Sequence, residues 1–384
     1  MELWVEIAHQ SLTETGGDVI RTFQTKEQFY AVVISDQLSV ISDQFRLDRG
    51  RLAEQATTML RQSVPLNKVT ENLLAALPEG EHVPFSILQV IGGTRGNLVE
   101  CDAPPLFMAR GGELVILPVF EEESRGHLIR QCEFTLEDGD HLAMVSEGYI
   151  HIKGWNKSWG WRDIATSIRR LTETRCDAEQ LLGALVRSYW RLAGEISNTQ
   201  SPIPISVLAM FVRPMRTVTV WSGPPVRREV EEQILEKLID EPGARVICGD
   251  TTAEIAARLM GAQLVMEPRP EDGWAQVPPT SQLGGRPGIE RVDLITEGLV
   301  TMGKARERIA GVQRARDLPR KEDGATRLAK LLLTADKIHF LVGLAVNPAQ
   351  TVDKAGKVPL RRIVVKELMN DLKARGKIVS VEYF

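Results

Sequence analysis

The alternation of apolar and polar residues in the first half of the chain predicts mainly β-strands. An uninterrupted apolar run from Phe29 to Ile34 is typical of a buried strand, because β-branched and aromatic side chains suit a pleated surface. The run stops abruptly at Asp36. A preceding strand is expected to begin at Asp18, directly after two glycines that allow a tight turn. A hairpin between the two strands would bring the Asp18 and Asp36 carboxylates into one neighbourhood.

The remaining periodicity as far as Pro214 predicts further strands, several of them in hairpins, and four helices. The helices are expected at Arg49 to Ser63, Val69 to Ala76, Asp163 to Leu171 and Ala178 to Leu192. The strands are expected at Met1 to Ala8, Phe85 to Ile91, Asn97 to Cys101, Leu106 to Arg110, Leu114 to Leu117, Phe134 to Leu136, His141 to Val145 and Val207 to Val212. The strands on either side of Asp138-Gly139-Asp140 should pair as a hairpin. This pattern predicts an α+β fold in which sheets pack face to face with helices outside.

After Pro214 strands and helices alternate, which indicates a mostly parallel sheet. We therefore expect two domains, residues 1–213 with the sandwich and residues 214–384 with a smaller α/β fold. The segment from Pro268 to Gly288 is rich in proline and glycine and is expected to be a long loop.

Two buried strands end in the same way, with a serine followed by an acid. The first ends at Ser35-Asp36 and the second at Ser146-Glu147. A carboxylate at the end of a buried strand is suited to hold a hard metal ion or a substrate charge. An acid in this position also commonly caps a helix or turn. The sequence leaves both interpretations open.

The second domain contains one turn with possible chemistry, Gly249-Asp250-Thr251-Thr252, between a strand and a helix. Amides and hydroxyls at a helix N-terminus favour an anion. The simpler interpretation is that Asp250 or Thr251 only caps the helix. Trp155, Trp159 and Trp161 form a cluster in the sequence that also has two interpretations. It suits either a docking surface or local packing.

Composition narrows the classes of partner. The chain has 384 residues, 43% of them hydrophobic, and a net charge of −4 without a long basic stripe, which argues against a nucleic-acid binder. Its four cysteines form no CxxC pair, so reduced thiols in the cytoplasm fit best. The chain carries neither a signal-peptide pattern at its start nor an apolar run near 20 residues, so we expect no membrane association.

Four motifs of the first domain resemble the metal-dependent protein phosphatases of type 2C (PPM), and within them the stage II sporulation E (SpoIIE) serine/threonine phosphatases. The motifs are GGDV around Asp18, VVISDQ around Asp36, LVECDAPPLFMARGGELVILP from Leu98 and EDGDHLAMVSEGYIH from Glu137. In the second domain, CGDTTAEIAARL, DLITEGLVTMGKA, DGATRLAKLLL and FLVGLAVNPA are similar to the C-terminal extension of one sub-group. Members of that sub-group are often encoded beside iron-only hydrogenases.

The resemblance implies a fold, a pair of ions and their ligands. In the family, aspartates at strand ends hold two Mn²⁺ or Mg²⁺ ions, which bind the phosphate and activate a water molecule. Asp18 and Asp36 match two of these ligands, and Glu147 lies where the family has an aspartate. The implied substrates are phosphoserine and phosphothreonine proteins.

The chain also departs from the family pattern. Gln37 replaces a glycine whose carbonyl ligates metal, and Glu147 is one methylene longer than aspartate, although Mg²⁺ tolerates little geometric error. The stretch from Asn198 to Ile205 contains no acid where the family has adjacent aspartates. The sequence thus predicts a degenerate site with one ion or none.

Three functions follow from these expectations. The first is a weakly active phosphatase or pseudophosphatase that binds a protein partner or phosphoprotein in signalling or as a subunit of a hydrogenase-type redox complex. The second is an active Mn²⁺- or Mg²⁺-dependent phosphatase. The third is a small-anion sensor that acts through Gly249 to Thr252.

Overall fold

The computed structural model describes eleven segments of the chain, and all structural statements concern these. They are residues 2–12, 18–25, 28–35, 48–77, 82–150, 160–194, 205–267, 277–284, 292–320, 323–345 and 359–384. By its internal contacts the chain divides into two compact units, Met1–Pro214 and Met215–Phe384.

The first unit contains two antiparallel sheets. One has five strands in the order β1-β11-β10-β6-β7. Its strands are β1 (Leu3–Leu12), β6 (Phe107–Arg110), β7 (Glu113–Val115), β10 (His141–Val145) and β11 (Ile205–Pro214). The other has six strands in the order β2-β3-β4-β5-β9-β8. Its strands are β2 (Val19–Gln24), β3 (Gln28–Ile34), β4 (Phe85–Ile91), β5 (Arg95–Cys101), β8 (Phe120–Ser124) and β9 (His127–Thr135).

The two sheets pack face to face, with helices on both outer faces. The helices are α1 (Arg49–Arg61), α2 (Leu66–Ala76), α3 (Glu147–Ile150), α4 (Trp161–Thr172) and α5 (Ala178–Gly194). Ile20 of β2 and Met144 of β10 share one buried cluster between the sheets. Separate clusters join α1 and α2 to the six-stranded sheet and α3 to α5 to the five-stranded sheet. The predicted α+β sandwich flanked by helices is confirmed.

The hairpin predicted around residues 138–140 is wrong. Phe134 lies on β9 of the six-stranded sheet, whereas His141 opens β10 of the five-stranded sheet. Pairing with β11 continues into the turn, since Val212 N–H donates to the Asp140 carbonyl at 2.8 Å. The turn therefore carries the chain from one sheet to the other.

The second unit is built on a seven-stranded sheet in the order β14-β15-β16-β13-β12-β17-β18. Its parallel strands are β12 (Thr217–Ser222), β13 (Ala244–Cys248), β16 (Leu294–Thr296), β17 (Lys337–Val342) and β18 (Ile378–Tyr383). If these five strands are numbered 1 to 5 along the chain, their order across the sheet is 3-2-1-4-5. Successive strands are therefore added on one side of β12 and then, from β17 onward, on its other side, so the strand order reverses between β12 and β17. The predicted, mostly parallel sheet is confirmed.

Helices cover both faces of this sheet. They are α6 (Glu231–Asp240), α7 (Asp250–Met260), α8 (Leu299–Ala310), α9 (Gly324–Thr334) and α10 (Leu360–Ala374). Along each strand alternate residues point to opposite faces, so Trp221 packs with α6 and α7 while Val220 packs with α8 to α10.

The loop predicted from Pro268 to Gly288 is wrong in part. Residues 281–284 form β15 (Ser281–Gly284), which pairs antiparallel with β14 (Gln263–Met266) at the edge of the sheet. Neither strand has a strong apolar alternation: β14 is the exposed edge strand of the sheet, and β15 beside it is only partly buried.

Candidate functional site

Asp18 lies directly before β2, at one end of the sandwich. The register of the β2–β3 hairpin pairs Val19 with Ile34, so its continuation sets Asp18 opposite Ser35. The hairpin prediction is therefore confirmed. Asp18 is buried, as is Ser35. Asp36 lies outside the described residues, so its predicted proximity to Asp18 stays a prediction.

Glu147 is the first residue of α3, two residues after β10 ends at Val145. Ser146 anchors this strand end to the start of β11, because its hydroxyl accepts a hydrogen bond from the Ser206 N–H at 2.9 Å. Ser206 in turn contacts Ser11 of β1 through their hydroxyls at 2.8 Å. Glu147 thus stands at the edge where β1 and β10 end and β11 begins.

Chain connectivity places Asp18 and Glu147 at the same end of the sandwich. β1 ends at Leu12 on the edge that carries Glu147. Asp18 follows Leu12 by six residues, which span at most about 20 Å. β2, which begins directly after Asp18, packs against β1 and β11 of the facing sheet.

Another buried acid, Glu100, lies near this end and was not predicted from the sequence. It shares a side of β5 with Leu98, which packs between the sheets. Its carboxylate accepts a hydrogen bond from the Leu106 N–H at 2.6 Å and lies 3.1 Å from Arg130. Burial raises the pKa of Glu100 to about 7, although the charge of Arg130 and the Leu106 hydrogen bond both act to lower it.

Farther along the same edge of the six-stranded sheet, two histidine side chains converge on one carboxylate oxygen of Asp102. Asp102 Oδ2 lies 2.6 Å from His127 Nδ1 and 3.1 Å from His82 Nδ1, and its other oxygen accepts from the Leu128 N–H. Burial acts to raise the pKa of Asp102, but hydrogen bonds from His127 and His82 outweigh it and lower that pKa. The group joins the end of β5 to the start of β9.

The structure describes Asp18 and Glu147, two of the three ligands that the family resemblance predicts for the pair of ions, while Asp36 lies outside the described residues. Within the described segments, one group of three metal-capable side chains lies close enough to share an ion, and it is His82, Asp102 and His127. Neither Asp18 nor Glu147 belongs to such a group.

In the second unit the turn from Gly249 to Thr252 joins β13 to α7. Gly249 is the N-cap residue of α7, and no side chain hydrogen-bonds to this helix end. The alternative in which Asp250 or Thr251 caps the helix is therefore wrong. The φ of Gly249 is 130°, and a Cβ there would lie 2.9 Å from Thr252 Oγ1, so only glycine fits.

The same turn lines an open cavity of about 500 Å³ at the carboxyl ends of the parallel strands. Asp250 and Thr251 lie at its exposed rim, while Thr252 is fully buried. Glu297 and Arg361 also line it. Burial raises the pKa of Asp250, with Glu254 adding to the effect, and burial raises the pKa of Glu297, with Asp250 adding to it.

The sequence analysis missed Glu297 and Arg361. A signal for Glu297 exists, because Thr296-Glu297-Gly298 places an acid and a glycine after a strand as Gly249-Asp250 does. Arg361 has no such signal, since it stands beside Arg362 at the start of a helix and resembles a solvated residue.

Of the tryptophan cluster, Trp161 is described. Trp161 is the first residue of α4, and its side chain is exposed. The centroid of its ring lies 6.4 Å from the ring centroid of Phe107. Trp155 and Trp159, like the stretch from Asn198 to Pro204, lie outside the described residues. Among the helices of the described segments, none is long and apolar enough to cross a membrane.

No protein-family model matches the chain. No curated protein matches its sequence. Solved structures with a similar fold include a Bacillus subtilis SpoIIE PP2C phosphatase domain with a fragment of its regulatory domain, at a TM-score of 0.43 and 10% identity. That match covers 55% of this chain and 64% of the other.

The RsbU and RsbW domains of a Mycobacterium tuberculosis protein match at a TM-score of 0.43 and 13% identity, over 67% of this chain and 70% of theirs. The SiaA PP2C domain of Pseudomonas aeruginosa matches at 0.40 and 14% identity, over 54% and 84%.

Proposed function

We propose that the first unit is a phosphatase-type domain that binds a phosphoprotein or a protein partner and hydrolyses phosphate esters slowly or not at all. The observation that carries the proposal is the small acidic set at the end of the sandwich. Among the residues that the structure describes there, Asp18 and Glu147 are the sequence-predicted ligands, and the stretch from Asn198 to Ile205 contributes no acid. At most one weakly held Mn²⁺ or Mg²⁺ ion suits such a site.

The partner is a further part of the proposal. The resemblance of the second unit to the extension found in hydrogenase-associated proteins favours a subunit of a redox complex, and signalling through a phosphorylated protein is the other class. All four cysteines are free, which agrees with a reducing cytoplasm. Partner capture should be unaffected by Asp36→Asn, since binding requires the surface and not the hydrolytic chemistry.

Hydrolysis of p-nitrophenyl phosphate by the pure protein, with Mn²⁺ binding followed by calorimetry on the same sample, tests the proposal. We expect no more than one weakly bound ion and a rate indistinguishable from that of Asp18→Asn. Asp138→Asn is the matched control, because Asp138 is an acid at the opposite end of β10 where it pairs with Arg175.

The alternative is an active Mn²⁺- or Mg²⁺-dependent phosphatase in which Glu147 is a working ligand. Rapid Mn²⁺-dependent turnover that Asp36→Asn and Glu147→Gln abolish, but Asp138→Asn leaves intact, would establish this alternative and refute the proposal.

A further inference from the structure

A buried arginine, Arg361, lies in the wall of the second unit's cavity. Arg361 has 8% of its surface exposed, and within the described residues its Nη1 has no hydrogen-bond acceptor. No carboxylate of the described segments forms an ion pair with it. Burial lowers the pKa of its guanidinium. An isolated buried charge is costly, and buried charges are normally paired with a group of opposite charge. Arg361 is therefore suited to bind an anion.

The first turn of α7 faces the same cavity. Its N–H groups have no carbonyl acceptor within the helix, and Gly249 supplies no side chain to cap them. Thr252 is fully buried, lines the cavity, and its hydroxyl has no partner among the described residues. An eleven-residue helix carries a dipole that favours negative charge at this end. Arg361 and Thr252 thus add two hydrogen-bond donors, both without a partner among the described residues, to the same cavity as this helix end.

Two acids line the cavity as well. Asp250 lies at the rim, and Glu297 accepts a hydrogen bond from the Val300 N–H at 3.2 Å in the first turn of α8. Carboxylates beside an anion site are unfavourable unless they bind donors on another part of the same ligand. Hydroxyl groups are the simplest donors of that kind.

The position in the fold agrees with a ligand site. β12 and β17 lie at the reversal of the strand order, and the cavity lies beyond their carboxyl ends. In open α/β sheets this crevice is where small ligands bind. A volume of about 500 Å³ suits a molecule of mononucleotide size.

We propose that this cavity binds a small phosphate monoester that carries hydroxyl groups, with the phosphate held by Arg361, Thr252 and the first turn of α7. The hydroxyl groups are held by Asp250 and Glu297. A phosphate is favoured over a carboxylate because the guanidinium fork, the hydroxyl and the helix amides together offer more donors than two carboxylate oxygens accept. The proposal is independent of the phosphatase chemistry proposed for the first unit.

Calorimetry and thermal unfolding of the full chain, in the presence of EDTA so that a metal site cannot contribute, test the proposal. The probes are ribose 5-phosphate, AMP, inorganic phosphate, adenosine and malate. Ribose 5-phosphate and AMP are expected to bind one per chain and to raise the Tm by a few degrees at saturation. Inorganic phosphate should bind more weakly, and adenosine and malate should give no shift.

Arg361→Gln and Thr252→Val are the test variants. We expect Arg361→Gln to weaken ribose 5-phosphate binding by roughly tenfold or more, since it removes charge-assisted hydrogen bonds. Both variants should fold, because each removes a buried group that has no partner in the described structure. Thr301→Val is the matched control: its hydroxyl is equally buried and without a described partner, but Thr301 does not line the cavity.

Binding that Arg361→Gln and Thr252→Val weaken and Thr301→Val preserves supports the proposal. The absence of a shift with both ribose 5-phosphate and AMP would overturn it. Equal binding by the wild type and Arg361→Gln, or a shift with malate alone, would overturn it as well.

Discussion

Glu100 places a carboxyl group between the two sheets, where its ionised form is disfavoured. Burial raises its pKa from 4.5 to about 7. Between these two values the folded state retains a proton that the unfolded state has lost, so stability falls as the pH rises. The slope is about 1.4 kcal/mol per pH unit, and the whole contribution is about 3 kcal/mol.

Glu100→Gln should remove this pH dependence, because glutamine keeps an acceptor for the Leu106 N–H without a charge. Denaturant unfolding from pH 5 to pH 8 measures it. We expect the wild type to lose stability relative to Glu100→Gln across this range, most of it by pH 7. Parallel pH profiles for the two proteins would refute the assignment of a raised pKa.

Gly223 lies directly beside the Arg361 guanidinium and therefore provides a second test of the phosphate-binding proposal. Its φ is 83°, and a Cβ at this position would overlap the Arg361 guanidinium. Gly223→Ala is therefore expected to displace Arg361 and to abolish ribose 5-phosphate binding by calorimetry. Gly261→Ala is the control, since Gly261 also has a positive φ of 61° but has open space around it. It should lower stability by about 1 kcal/mol and leave binding unchanged. Equal binding by both variants would contradict the role of Arg361.

At the residue scale, sequence motifs identified candidate site residues that lie at the ends of strands. They missed residues that become buried only when distant elements pack against them. Asp18 and Asp250 each follow a glycine near the end of a strand, where the local pattern is informative. Glu100 and Arg361 are buried by distant elements, and no feature of their own segments indicates it. The pattern around Arg361 is that of an ordinary exposed helix start.

At the scale of the element, α9 depends on a single acid at its start. Asp323 caps the helix by accepting from the Thr326 N–H at 2.9 Å and also pairs with Arg308, whose Nη2 lies 2.9 Å away. Burial acts to raise the pKa of Asp323, but hydrogen bonds from Arg308 and Thr326 outweigh it and lower that pKa. The stability it contributes is thus present above its unfolded pKa and lost as the pH falls through the folded one.

Asp323→Ala should lower the free energy of unfolding by about 2 kcal/mol at pH 7, since it removes both the cap and the partner of Arg308. Asp323→Asn is the matched variant, because asparagine still caps a helix but carries no charge. Chemical denaturation should show a smaller loss for Asp323→Asn. Equal losses would mean that the ion pair contributes most of the stability and the cap little.

Strong apolar runs allowed most elements to be predicted, but not all of their partners. β3 and β4 are apolar throughout and were expected as buried strands. β9 and β10 are neighbours in sequence but lie in different sheets, because β9 pairs with β5 and β10 pairs with β11. These pairings join distant parts of the chain and cannot be read from the local pattern. β14 and β15 escaped prediction because these two short strands, at and next to the edge of the sheet, lack a buried apolar face.

At the scale of the whole molecule, each unit has its own hydrophobic interior. Three buried clusters consist of residues from Met1–Pro214, and two consist of residues from Met215–Phe384. A separate core is the physical requirement for independent folding. The change in sequence pattern near Pro214, from strand-rich to alternating, has the same origin, because each pattern serves a different sheet.

The fragment Met215–Phe384 is therefore expected to fold without the rest of the chain. It should unfold cooperatively on heating, because the parallel strands and all five helices that cover them lie within it. Its affinity for ribose 5-phosphate should equal that of the full chain, since the described residues that line the cavity all belong to it. Circular dichroism and calorimetry on the fragment measure both properties. A fragment without a cooperative transition would show that the second core requires the first unit, and a folded fragment without affinity would show that the binding site does.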